Sequence, residues 1–90
     1  MTLQGLITAY NSVAPVSTAE GVSRAIEWFY IVEVYTLENP EEVPNGNSVI
    51  FACEEYARNT QVKSTDYDTI NNNLYHVRCM IDAIIQQTAT

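Results

Sequence analysis

Ten residues, Trp28 to Leu37, read Trp-Phe-Tyr-Ile-Val-Glu-Val-Tyr-Thr-Leu and carry a single charge, Glu33. A stretch this apolar cannot face water around its whole circumference, so any fold of this chain must cover it on more than one side. Two local structures compete for it. Its aromatic and β-branched content suits a strand. The residues before it favour a helix. Ser17-Thr18-Ala19-Glu20 has the capping-box pattern, in which the serine hydroxyl accepts from the amide of Glu20 and the glutamate reaches back. Val22, Ala25, Ile26 and Phe29 then follow on one face, with Glu20, Arg24 and Glu27 outside it. A helix from this cap runs to about Glu38, where Asn39-Pro40 stops it. The helix is the preferred reading. A strand over residues 29–37 is the alternative, with Ser48 to Phe51 as a weak pairing partner.

The remaining segments agree with helices. Leu3, Leu6, Ile7, Tyr10, Val13 and Ala14 recur at three- and four-residue steps between a capping Thr2 and a terminating Pro15. Glu38 to Asn47 is a loop with Pro40, Pro44 and Asn45-Gly46 as turn residues. A short helix capped by Asn47 or Ser48 runs to about Arg58, with Val49, Ile50, Cys53, Tyr56 and Ala57 inside and a Glu54–Arg58 pair on its wet side. The last helix opens at Thr65-Asp66-Tyr67-Asp68, and Ile70, Leu74, Val77, Ile81, Ile84 and Thr88 form a narrow seam. Asn71-Asn72-Asn73 are poor helix formers and predict an irregular start, or one delayed to about Asn73. The fold class is therefore all-α, a small bundle of three to four helices forming one domain over residues 1–90, with an α+β variant as the alternative. A chain of 90 residues builds a thin core, so a partner or self-association is expected to add to its stability.

Charge narrows the partners. Eleven carboxylates against four basic side chains give a net charge of −7 and a pI near 4.3. Phosphate binding needs clustered Lys or Arg, and Arg24, Arg58, Lys63 and Arg78 are scattered, so nucleic acid is not expected as a direct ligand. No apolar run reaches the ~18 residues that span a bilayer, and no signal-peptide pattern opens the chain. A cytoplasmic protein is expected, with Cys53 and Cys79 as reduced, packed thiols.

Few residues suggest chemistry. His76 is the lone histidine, with Cys79 three and Asp82 six residues on, a weak basis for catalysis. Asp66-Tyr67-Asp68 and Glu41-Glu42 lack the spacing of a calcium loop, so no metal is expected. The three glycines are too far apart to cradle a phosphate, and there is no Gly-x-Ser-x-Gly elbow. No catalytic residue and no cofactor are assigned. The expected function is that of a non-enzymatic protein-binding module, self-associating or docking on a larger protein. Its contact residues would be Trp28, Ile31, Val34 and Tyr35, with Glu27 and Glu38 at the rim. Small acidic inhibitors, adaptors and immunity-type proteins, including those of phages and other mobile elements, share this profile by type alone. The alternative is a small-ligand binder with an apolar pocket beside Glu33 and Tyr30.

Overall fold

The computed structural model describes residues 1–88, which form four helices: α1 Leu3–Val13, α2 Ala19–Glu38, α3 Gly46–Val62 and α4 Tyr67–Thr88. Among the described residues there is no strand, and the Trp28–Leu37 run is helical throughout. Each entry into a helix has a local cause. The Thr2 hydroxyl accepts from Gly5 N at 2.9 Å and starts α1. For α2 the cap is Thr18, accepting from Gly21 N at 3.0 Å, one residue later than the expected Ser17–Glu20 box. Both residues offer a hydroxyl, and Thr18, in extended backbone, is the one that caps the helix.

Three further expectations are corrected. Helix α3 starts at Gly46, after Asn45 in the left-handed region at φ 59°, and continues past Arg58 to Val62. Its tail is held by Thr60, buried with its hydroxyl donating to Tyr56 O at 2.7 Å. Helix α4 begins at Tyr67 and passes smoothly through the asparagines, capped by Asp66, which accepts from Thr69 N and Thr69 Oγ1. Asn71 is tolerated there because its carboxamide has a partner far along the chain. It accepts from Val16 N at 2.7 Å and donates to Val16 O at 3.0 Å, satisfying a buried residue of the α1–α2 linker. The i, i+4 ion pair forms between Arg78 and Asp82 at 3.3 Å, while Glu54 turns away from Arg58 toward Glu33 on α2.

The helices alternate in direction around a ring. Thr36 lies against Gly46 and Phe29 against Tyr56, which makes α2 and α3 antiparallel and the most extensive pair. Tyr56 meets His76 on α4, and Arg78 on α4 lies over the Tyr10 ring of α1 at 5.3 Å, closing the ring; α2 also touches α4 across the diagonal. One core joins all four helices, with Leu6, Trp28, Phe29, Val32, Cys53 and the α4 seam at its centre. Within α2 the buried positions are Gly21, Val22, Ala25, Trp28, Phe29, Val32, Tyr35 and Thr36, a single continuous stripe. That stripe divides the apolar run. Part of it is core, and the rest is left at the surface.

Candidate functional site

Trp28 belongs to the core and is corrected as a contact residue: it is 1% exposed, its Nε1 donates to Leu6 O at 3.0 Å, and its ring meets Tyr10 edge-on at 5.6 Å. Buried indoles find a hydrogen-bond partner, and the carbonyl of α1 supplies one. Tyr35 is also buried, with its hydroxyl donating to Glu42 Oε2 at 3.1 Å in the α2–α3 loop. Burial, and then the carboxylates of Glu42 and Glu41, hold that hydroxyl above its ordinary pKa. Glu27 and Glu38 are exposed, and Ile31 and Val34 are half-buried.

These residues come together along one line of α2. Glu27, Ile31, Val34 and Glu38 follow at three- and four-residue steps and form one bank of a groove beside α1. Two depressions open along it and share Ile31. One, of about 260 Å³, is lined by Met1, Tyr30, Ile31, Val34, Tyr35 and Glu38. The other, of about 330 Å³, lies between Ala9, Ser12 and Val13 of α1 and Arg24, Glu27 and Ile31 of α2, with Trp28 as its floor. The groove stays open because the α1 bank is small. Gly5, Ala9 and Ser12 of α1 follow at helical spacing, and neither Ala9 nor Ser12 has the bulk to cover Ile31. Tyr30, 65% exposed, and Met1, 72% exposed, stand at the edge.

Met1, Ala9, Ser12, Val13 and Arg24 also line the groove and are not among the residues expected from the sequence. The small positions of α1 were the available signal, but their meaning depends on which helix lies opposite them.

Glu33 occupies a different flank. Its side chain faces Glu54 across α2 and α3, and burial first, then the hydrogen bond and charge of Glu54, raise its pKa. It lines neither depression, so Glu33 and Tyr30 are not brought together as a ligand pocket. Cys53 beside this pair is buried and free, and burial pushes its thiol up to about 12, so it is held as an unreactive neutral thiol.

On the opposite side, α3 and α4 form a third depression, of about 490 Å³, with the exposed Phe51, Tyr56, His76 and Met80 on its walls. His76 Nδ1 and the Tyr56 hydroxyl share a hydrogen bond of 2.6 Å. The geometry does not join His76 to Cys79 or Asp82: Asp82 pairs with Arg78, and the Cys79 thiol lies beside Tyr75, whose pKa it raises. Among the described residues no three His, Cys, Asp or Glu side chains gather as a metal site, and no helix is long and apolar enough to cross a membrane. Comparison of the chain with protein-family models, curated proteins and solved structures finds no match to any of them.

Proposed function

We propose that this chain is a non-enzymatic protein-binding module that docks a partner protein in the α1–α2 groove. The observation that carries this reading is the half-exposed pair Ile31 and Val34 beside the exposed Tyr30, on the face of α2 that the small residues of α1 leave open. Contiguous apolar surface rimmed by charge, here Glu27 and Glu38, is typical of interaction sites. The size of the depressions favours protein over small ligand. At about 260 and 330 Å³ one lies below and the other at the bottom of the ~300–1,000 Å³ range of ligand pockets, and each suits one or two inserted side chains. Binding of this kind is sufficient for an adaptor or an inhibitor, which act by occupying a partner's surface. Free Cys53 and Cys79 fit the reducing cytoplasm.

The test compares affinity capture from the native host with the wild-type chain and with Val34→Glu. Val34 is half-exposed, so the variant should stay folded by circular dichroism while losing the captured protein. An interaction profile unchanged in both Val34→Glu and Ile31→Glu would overturn the reading.

A further inference from the structure

The groove has a direction, and its charge sets it. Antiparallel packing puts the end of α2, the α2–α3 loop and the start of α3 at one end of the bundle. That end carries Glu38, Glu41 and Glu42, while Glu27, Glu33, Glu54 and Glu55 lie nearer mid-height of α2 and α3. None of the four basic side chains lies at that end. Arg24 is near the start of α2, Arg58 and Lys63 are near the end of α3, and Arg78 is at mid-height on α4, already paired with Asp82. The far end holds Glu20, Asp66 and Asp68 against Arg24, Arg58 and Lys63, a formal balance. The end where α2 stops therefore carries three carboxylates and no basic side chain, whereas the far end is balanced. The last turn of α2 contains no basic residue, so the partial negative charge of its terminal carbonyls adds to the carboxylates. The amino group of Met1 leaves that end negative.

We infer, resting on the docking reading above, that the α1–α2 groove takes an amphipathic helix of a partner protein that is basic at the end lying beside Glu38, Glu41 and Glu42. The two depressions share Ile31 and are centred near Glu27–Trp28 and Val34–Tyr35, seven residues apart along α2, or about 10 Å at the rise of an α-helix. Two apolar side chains at i and i+7 on the partner reach both. Lys or Arg beyond the second anchor meets the carboxylates, and a neutral or acidic residue at the first meets Arg24. A second copy of this chain is a poor occupant, because the apolar face of α2 that it would bring carries the same carboxylates.

The probes are three synthetic peptides of about 16 residues. One is a Leu/Lys amphipathic helix, one its Leu/Glu counterpart, and one a scrambled Leu/Lys peptide with the same charge but no apolar face. Binding is followed by calorimetry and by NMR shifts of Ile31 and Val34 methyls. The Leu/Lys helix is expected to shift both methyls and to weaken about tenfold between about 50 and 500 mM NaCl. It should also lose binding in Val34→Glu, and the Leu/Glu helix should leave the methyls unmoved. Equal binding of the Leu/Glu helix in the groove, or dimerisation of the chain through it, overturns the basic partner while leaving a docking groove in place. Binding of the scrambled peptide as tightly as the ordered one, or shifts confined to Phe51 and Met80, overturns the basic helix as the occupant. If no peptide moves Ile31 or Val34 and host capture is also insensitive to Val34→Glu, the docking reading fails with it.

Discussion

Glu33 is the one charge in the apolar run, and its partner is another carboxylate. Helix α2 keeps it off the buried stripe by one position, next to Val32, and α3 brings Glu54 opposite. Desolvation and the adjacent carboxylate both disfavour ionisation, so the folded protein holds a proton on Glu33 to a higher pH than the unfolded chain does. The sign of the linkage follows. Stability from this site is fully present below the ordinary glutamate range and is lost as pH rises through the raised folded value. Asp66 works the other way: its hydrogen bonds from Thr69 lower its pKa, so its contribution is present above the ordinary aspartate range and lost as pH falls through its lowered value. Glu33→Gln keeps the size and shape of the side chain and removes the titration. Its urea midpoint at pH 7 should exceed that of the wild type, and the difference should close as the pH is brought down to about 4, near the ordinary glutamate value. A variant less stable than wild type at pH 7 would show that the charged form is favoured in the fold.

At the scale of elements, the close approach of α3 to α2 rests on a missing side chain. A Cβ built on Gly46 lies 2.9 Å from Thr36 Cγ2, and Thr36 cannot swing away, because it is buried and its hydroxyl donates to Val32 O at 2.8 Å. Gly46→Ala should lower stability by about 1 kcal/mol, the overpacking being larger than the gain in helix propensity. Adding Thr36→Ser, which removes Cγ2 and keeps the hydroxyl, should recover part of that loss in a double-mutant cycle read by chemical denaturation. Strict additivity would place the strain elsewhere.

The same elements show what the sequence could reveal. Thr2, Pro15 and the Ile70–Ile84 seam were legible because cap, breaker and period are local signals. The tail of α3 was not, since Asn59-Thr60-Gln61 is helical only through the burial of Thr60 and its bond to Tyr56 O. Nor was the burial of Trp28. On a helical wheel it shares a side with Ile31 and Tyr35, and only the docking of α1, with the carbonyl of Leu6 as acceptor, separates core from groove. Ile31, Val34, Glu27 and Glu38 could be picked from one helix. The opposite bank could not, because it depends on a tertiary pairing.

Across the whole molecule, about 39 Å long and 21 by 18 Å across, charge is distributed against the interest of the fold. A cation near the end of α2 would complement the helix dipole and the neighbouring carboxylates, yet Glu38, Glu41 and Glu42 occupy that end. On the docking reading proposed above, an acidic end that opposes stability and borders an apolar groove suits a basic partner, since like charges left unpaired in the free protein would be relieved in such a complex. Stability and binding should therefore move in opposite directions in Glu38→Lys. The variant should melt about 2–4 °C higher at low ionic strength, an increment that shrinks with added salt. Its affinity for the Leu/Lys helix should fall about tenfold under the same conditions, because one attraction becomes a repulsion. Thermal melts and calorimetry on one preparation measure both. A variant that melts higher and binds the basic helix as tightly as the wild type would separate the acidic end from the groove, and the carboxylates would then serve solubility alone.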